Sequence, residues 1–227
     1  MSHGNQFTLY TYVSGPNGWK VAYVLAELGL TYESRYLDFG KEEQKSLEYT
    51  KYNPNGRIPT LIDHSNGDFV IWESGAILQY LVDMYDTEHK ISVSDIKEKY
   101  HQLQWLFFQA SGQGPYYGQA SWFILYHPEK VPSVLERYGK EIVRVLGVLE
   151  GVLSKQEWLV GGKYTVADIA FVPWHLLTFT QLPELRPEVS LERDFPSVYK
   201  WHNAVISRKP IAELVELRES LIRAAGK

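Results

Sequence analysis

The sequence predicts two unlike domains, a small α/β domain with a four-stranded mixed sheet followed by an all-helical domain. Short runs rich in β-branched and aromatic residues alternate with helical patterns as far as residue 86. A polar stretch without an apolar period, residues 86–90, then marks the domain boundary. Beyond it, nearly all apolar residues recur at helical spacing, so the second domain is predicted to contain only helices.

In the first domain, strands are predicted at residues 7–13, 31–37, 58–62 and 69–71. Apolar residues recur at helical spacing over residues 19–28, and Gly29 is placed to end that helix. A polar, variable segment covers residues 41–52, and a further helix is predicted at residues 74–84. With a right-handed crossover between the first two strands, this order predicts a thioredoxin-like sheet.

In the second domain, helices are predicted at residues 96–110, 131–153, 171–182 and 198–223, the last divided by Pro210. Thr165 and Asp168 have the spacing of a capping box, with Tyr164 and Ile169 at the staple positions. We therefore assign Asp168 a structural role rather than a catalytic one. The predicted division is residues 1–86, a linker at 87–94, and a helical domain at 95–227.

Composition excludes several kinds of function. The 227 residues contain no cysteine, which excludes disulfides, thiolate metal sites and a catalytic thiol from the protein. The net charge is −4 and no block of basic residues occurs, so neither nucleic acid nor an anionic membrane is an expected partner. The histidines lack metal-ligand spacing, and no metal is expected. With no signal-like or membrane-spanning apolar run, we expect a cytoplasmic protein.

Pro59 opens a predicted strand although it cannot donate a hydrogen bond to a sheet. If the Ile58–Pro59 peptide bond is cis, the main chain of Ile58 turns outward and can hold an extended peptide as an added strand would. A trans proline in an ordinary loop is the alternative, and the position of the proline in the sequence does not decide between them.

Two helix starts are candidates for ligand binding. At the first, Asn17 either caps the helix or donates to an anion such as a ligand thiolate. At the second, Glu73 and Ser74 either cap the helix or recognise an amino-acid head group. In the binding interpretation, Glu73 pairs with the ligand ammonium while the Ser74 hydroxyl and nearby amides bind its carboxylate.

These segments together resemble the cytosolic glutathione transferases over essentially the whole chain. The resemblance rests on Asn-Pro-Asn-Gly-Arg-Ile-Pro at residues 53–59, Glu-Ser-Gly-Ala-Ile at residues 73–77, and the capping box. The chain looks closest to the fungal group related to the yeast nitrogen-regulation prion protein and to the bacterial Nu class. Residues 16–21, 105–112, 118–120 and 171–174 carry this narrower match.

The resemblance implies a glutathione transferase fold with glutathione as co-substrate. It implies that Pro59 is cis, that the Ile58 main chain holds the cysteinyl part, and that Glu73 and Ser74 hold the γ-glutamyl part. It also implies that Asn17 faces the sulfur, with Ser14 as the competing residue. For the glycyl carboxylate, the implied residues are Arg57 and, on the variable helix, Gln44 with Lys41 or Lys45.

Glycines and a proline at residues 112–118 are predicted to interrupt a long helix. Nearby, Tyr116, Tyr117, Trp122 and Phe123 are candidates for an aromatic site between the domains that takes a hydrophobic electrophile. Ordinary core packing is an equal alternative for each of them.

The function implied is conjugation of glutathione to electrophiles, with peroxide or disulfide reduction as an extension. The alternative is a non-catalytic glutathione-binding protein, acting as a regulator or as a ligand carrier. The resemblance also implies a homodimer.

Overall fold

The computed structural model describes residues 4–226, and its contacts divide the chain into two compact units. The first unit contains the chain up to Ile91 together with the segment from Ile206 onward. Its four described strands are β1 (Phe7–Thr11), β2 (Tyr32–Tyr36), β3 (Thr60–Asp63) and β4 (Phe69–Trp72). They form one sheet in the order β2-β1-β3-β4, in which only the β1–β2 pair is parallel. The predicted mixed sheet is confirmed.

Three α-helices in the described part of this unit precede Ile91: α1 (Pro16–Glu27), α2 (Leu47–Thr50) and α3 (Ser74–Tyr85). Helix α1 packs against both β1 and α3. Apolar residues from β1, α1 and α3 are fully buried, among them Leu9, Val24 and Ile77. Burial of these side chains is the main stabilising contribution to the unit.

Two strands, β1 at its end and β3 at its start, are shorter than predicted, and both of these ends lie next to the candidate site. Strand β1 ends at Thr11, and α1 begins at Pro16, which occupies the first helical turn where its missing amide is not needed. Strand β3 begins at Thr60 rather than residue 58. Because Pro59 has no amide hydrogen, the ladder starts after it and the Arg57–Pro59 segment lies outside the sheet.

The second unit contains residues 92–205 and is helical. Its helices are α4 (Ile96–Phe108), α5 (Gly114–Leu125), α6 (Pro132–Leu153), α7 (Val166–Leu185), α8 (Leu191–Asp194) and α9 (Pro196–Ile206). The predicted interruption near residue 112 takes the form of a five-residue π-helical turn, Gln109–Gln113, between α4 and α5. The Gln109 side chain donates to that of Gln113 at 2.9 Å across this turn. The helical path therefore continues through a π-helical turn and is not broken by a loop.

Helix α7 begins at the predicted capping box and runs longer than residues 171–182. The Asp168 carboxylate accepts from the Thr165 amide at 2.8 Å, and also from the Leu159 amide and the Trp201 indole. The predicted capping box is therefore present, and the same carboxylate joins it to Leu159 and Trp201. The helix continues through Pro173 because it is buried on nearly every side, and tertiary packing outweighs the local cost of a proline.

The C-terminal helix α10 (Lys209–Ala224) has Pro210 in its first turn, close to the predicted division, but it packs on the first unit. The Arg208 guanidinium makes two hydrogen bonds to the Glu27 carboxylate, at 2.6 and 3.0 Å. This grouping differs from the division predicted from sequence, which assigned all residues after 94 to the helical domain. Among the described residues, no helix has both the length and the apolar character needed to cross a bilayer.

Candidate active site

A pocket of about 360 Å³ lies on the first unit. Its lining residues come from three separate segments and are Asn17, Asn53, Asn55, Arg57, Ile58, Pro59, Glu73 and Ser74. Six of these eight are residues singled out from the sequence. Because the N-termini of α1 and α3 both contribute to it, partial positive charge of two helix dipoles is directed at the same cavity.

The Ile58–Pro59 peptide bond is cis. The segment that carries it is held from behind by Asn53, whose side-chain amide donates to the Arg57 carbonyl at 2.7 Å. The Tyr49 hydroxyl donates to the same carbonyl, and both side chains also contact the Thr60 hydroxyl. With Asn53 only 2% exposed, this network fixes the main chain beside the cavity.

In the sequence, Asn53 stands out only as the first residue of the motif at residues 53–59. Its side-chain oxygen also accepts from the Asn55 amide at 3.1 Å, so one asparagine satisfies groups on both sides of a turn. A signal was present in the sequence, since asparagine side chains commonly bond to backbone two residues later in turns. The hydrogen bond to the Arg57 carbonyl could not be predicted in this way, because it depends on how the loop folds back in three dimensions.

Glu73 precedes α3 with φ 71° and ψ 113°, a conformation that residues with a Cβ adopt rarely. Such backbone strain of about 1–3 kcal/mol persists where the surroundings enforce it, often at binding sites. The conformation sets the Glu73 carboxylate and the start of α3 at the same cavity. Glu73 occupies the N-cap position of α3, but its side chain makes no capping hydrogen bond, so its carboxylate does not satisfy the first-turn amides as the alternative interpretation required.

Asn17 is the second residue of α1, and Gly15 occupies the N-cap position. The capping alternative for Asn17 is therefore wrong. Gly18 permits this placement, because a Cβ there would lie 1.8 Å from the Thr11 hydroxyl oxygen. The first turn of α1 can thus approach the end of β1 closely. Ser14 lies in the turn before the helix and is not among the described lining residues.

Lys20 was not predicted from the sequence as a residue of the site. It is 2% exposed, and its Nζ donates to the Ser74 hydroxyl oxygen at 3.3 Å. Burial lowers the pKa of Lys20 to about 7, while the nearby Glu73 carboxylate opposes that shift. The sequence held one signal, because Lys20 lies four residues before Val24 and so shares its buried helix face.

The chain is similar to known proteins in both of its units. The family model of the glutathione S-transferase N-terminal domain matches residues 5–83, and that of the C-terminal domain matches residues 115–209. The chain belongs to the glutathione transferase family. Glutathione S-transferase 1 of Schizosaccharomyces pombe is 51% identical over 211 residues, covering 89% of this chain and 92% of the relative.

Two solved structures of Phanerochaete chrysosporium glutathione transferases are similar over nearly the whole chain. URE2P6, in complex with oxidized glutathione, has a TM-score of 0.91 and 61% identity, covering 97% of this chain and 99% of that one. Ure2p5, cocrystallized with 1-(S-glutathionyl)-2,4-dinitrobenzene, has a TM-score of 0.90 and 53% identity, covering 98% of each chain. The predicted glutathione transferase fold and Ure2-like subgroup are confirmed.

The residues that the resemblance implied for a glycyl carboxylate on the variable segment occupy different surroundings. Lys45 Nζ donates to the carbonyl of Asn55, a lining residue, at 3.2 Å. Lys41 forms an exposed ion pair with Asp38 at 3.2 Å. Gln44 has a buried side-chain oxygen without a hydrogen-bond partner among the described residues. Lys45 thus contacts a residue that lines the cavity.

Three of the four aromatic residues proposed for the acceptor form a cluster in the helical unit of this transferase. Phe123 contacts Trp122, with ring centroids 5.0 Å apart, and both Phe123 and Tyr116 contact Tyr138. Trp122 is 45% exposed. The expectation for Tyr117 is wrong, because this residue is fully buried beside His175 in the core of the unit.

Among the described residues of this transferase, no group of three or more histidine or acidic side chains is arranged to hold a metal ion.

Proposed function

We propose that this protein binds glutathione in the pocket formed by α1, the Arg57–Pro59 segment and the start of α3, and conjugates it to hydrophobic electrophiles. The observation that carries the proposal is the convergence of Asn17, the Ile58 main chain, Glu73 and Ser74 on one cavity. A zwitterionic peptide needs a carboxylate for its ammonium, donors for its carboxylate and an exposed strand-like backbone. The residues that line this cavity supply all three features.

The γ-glutamyl head group binds at the start of α3. Its ammonium pairs with the Glu73 carboxylate, and its α-carboxylate accepts from the Ser74 hydroxyl and from first-turn amides. The cysteinyl part bonds to the main chain of Ile58 as an added strand would. Arg57, with Lys45 or Gln44, holds the glycyl carboxylate. Lys41 is the weaker choice, since its charge is engaged by Asp38.

Asn17 stabilises the thiolate by donating its side-chain amide to the sulfur. Lowering the thiol pKa by two units requires about 2.7 kcal/mol of preference for the anion. A helix N-terminus contributes about 0.3–1 kcal/mol, and a hydrogen bond to a charged group about 1.5–3 kcal/mol. These two contributions together are sufficient, so no protein base is needed. The thiol proton passes to solvent.

In the reaction itself, the thiolate attacks an electrophilic carbon, a carbon–sulfur bond forms, and the leaving group departs with its electron pair. Support comes from the relative Ure2p5, which was cocrystallized with a glutathionyl-dinitrobenzene conjugate. Tyr116, Trp122 and Phe123 offer aromatic surface to such an acceptor.

Glutathione-dependent disulfide reduction is a second candidate, favoured by the relative crystallised with oxidized glutathione. The glutathione thiolate would attack the glutathionyl sulfur of a mixed disulfide and release the other thiol, forming glutathione disulfide. With no cysteine in the chain, no covalent intermediate forms on the protein. We also propose a homodimer that works in the cytoplasm, where glutathione is kept reduced.

Calorimetry with glutathione and turnover with 1-chloro-2,4-dinitrobenzene test the conjugation proposal together. Saturable binding with chloride release and formation of the conjugate is the expected result. Binding without turnover of that substrate, of a glutathionyl mixed disulfide or of a hydroperoxide would instead favour the non-catalytic regulator or carrier. An absence of glutathione binding would contradict the whole proposal. Light scattering of the same preparation tests the dimer.

A further inference from the structure

Lys20 is a buried cation directly behind the wall of the pocket. Its side chain extends from α1 to the Ser74 hydroxyl oxygen at 3.3 Å, and Ser74 lines the cavity while being only 8% exposed itself. Lysine is almost never fully buried unless it is paired, because removing an ammonium from water costs several kcal/mol. The contact with Ser74 and the nearby Glu73 carboxylate both offset that cost, and both of these residues line the pocket.

The chemistry of the two groups sets the direction of their hydrogen bond. In its ammonium form Lys20 has three donors and no acceptor, so the Ser74 oxygen then accepts from it. The hydroxyl hydrogen of Ser74 then points elsewhere and is available to an acceptor in the cavity. A hydroxyl that accepts from a cation is also a stronger donor, because successive hydrogen bonds polarise one another.

We propose that Lys20 is a positioning residue that directs the Ser74 hydroxyl into the pocket and makes this position selective for a ligand carboxylate. The inference rests on the proposed function and deepens it, because it assigns the γ-glutamyl carboxylate to a buried cation acting through a serine. Glu73, the residue before Ser74, supplies the opposite charge for the ligand ammonium. The site then matches both charges of an amino-acid head group.

The electrostatics of the buried lysine agree with this assignment. Burial lowers the pKa of Lys20, and the attraction of the Glu73 carboxylate opposes the shift. A second carboxylate arriving with the ligand at Ser74 would act in the same direction as Glu73. Bound ligand and protonated Lys20 therefore stabilise one another.

Two tripeptides separate this role from a purely structural one. Glutathione has the α-carboxylate, whereas 4-aminobutanoyl-cysteinylglycine lacks it and keeps the amine and the rest of the chain. Calorimetry on the full-length protein compares the affinities of the wild type and of Lys20→Met, Ser74→Ala and the double variant. Lys90→Met, the same change at an exposed lysine of the same unit, is the matched control.

We expect Lys20→Met to weaken glutathione binding by about 10-fold, near the lower end for a hydrogen bond to a charged group. Binding of the peptide without the α-carboxylate should change less than about 2-fold, and so should glutathione binding when Lys20→Met is added to Ser74→Ala. Lys90→Met should behave as the wild type. An unchanged glutathione affinity in Lys20→Met, or an equal loss for both peptides, would overturn the inference.

If Lys20→Met does not fold, as judged by circular dichroism, Lys20→Gln makes the same comparison with a neutral donor of similar length. A selective loss for glutathione of about 3-fold supports the inference, since the donor remains and the charge is gone. An equal change for both peptides contradicts it. Failure of the wild type to bind glutathione would instead contradict the proposed function, so the two failures are distinguishable.

Discussion

The side-chain amide of Asn53 donates a 2.7 Å hydrogen bond to the carbonyl oxygen of Arg57. This bond joins the end of the polar segment to the loop that lines the cavity, and Asn53 is buried. It leaves the Ile58 main chain rigidly placed before any ligand arrives. Rigid placement lowers the ordering cost of binding.

Asn53→Ala is therefore expected to raise the KM for glutathione several-fold and to lower the free energy of unfolding by about 1–3 kcal/mol, the cost of leaving buried polar groups without partners. Urea unfolding and steady-state kinetics measure the two effects. Asn203→Ala, in the helical unit, is the matched control and should change neither. An unchanged KM in Asn53→Ala would contradict the supporting role.

Asn17→Ala is expected to raise the pKa of the bound glutathione thiol by about one to two units, because the anion loses a hydrogen bond worth about 1.5–3 kcal/mol. This pKa is measured from the pH dependence of kcat/KM for 1-chloro-2,4-dinitrobenzene with the enzyme saturated by glutathione. Ser14→Ala is the comparison variant, since Ser14 lies outside the described lining of the pocket. A shifted profile in Ser14→Ala and not in Asn17→Ala would assign the role to Ser14.

Gly18→Ala is expected to reduce both stability and turnover. The added Cβ would lie 1.8 Å from the Thr11 hydroxyl oxygen, so α1 must shift and carry Asn17 with it. Overpacking of this kind costs about 1–3 kcal/mol. Gly151→Ala is the matched helical control, because a Cβ there meets no other atom within 4 Å. Thermal unfolding and kcat are measured for both. Equal behaviour of the two variants would refute the close approach at Gly18.

Buried histidines predict an acid-sensitive helical unit. Burial holds the pKa of His175 well below its usual range, and lowers that of His202 to about 4. The folded state therefore binds fewer protons than the unfolded chain, whose histidines titrate near about 6.5. Their stability contribution is full above about pH 6.5 and declines as the pH falls toward 4, by on the order of 3 kcal/mol for His202.

His202→Gln should flatten the fall in stability between about pH 6.5 and 4.5, measured by urea unfolding at each pH. His101→Gln changes an exposed histidine and should leave the slope as in the wild type. The same slope in all three proteins would contradict a contribution of His202 to the acid sensitivity.

Much of the site could be predicted from short segments. The site residues at 57–59 and 73–74 could be predicted because their signals are local. A proline without an amide hydrogen and the first turn of a helix each affect only a few neighbouring residues. The capping box at Thr165 and Asp168 was predictable for the same reason, and the structure confirms it. Secondary-structure prediction was less accurate at element boundaries, since α7 extends beyond residues 171–182 at both ends, where burial on nearly every side supports the helix.

The sequence by itself determined the order of strands and helices in the first domain, the absence of any protein thiol and the residue types able to hold a zwitterionic peptide. Only the tertiary structure decided that Asn17 rather than Ser14 lines the cavity, that Lys20 reaches Ser74, and that α10 packs on the first unit. Each of these depends on which distant segments meet. How deeply a side chain is buried, and which charges surround it, depend on contacts between distant segments. The spacing of residues in the sequence does not specify those contacts.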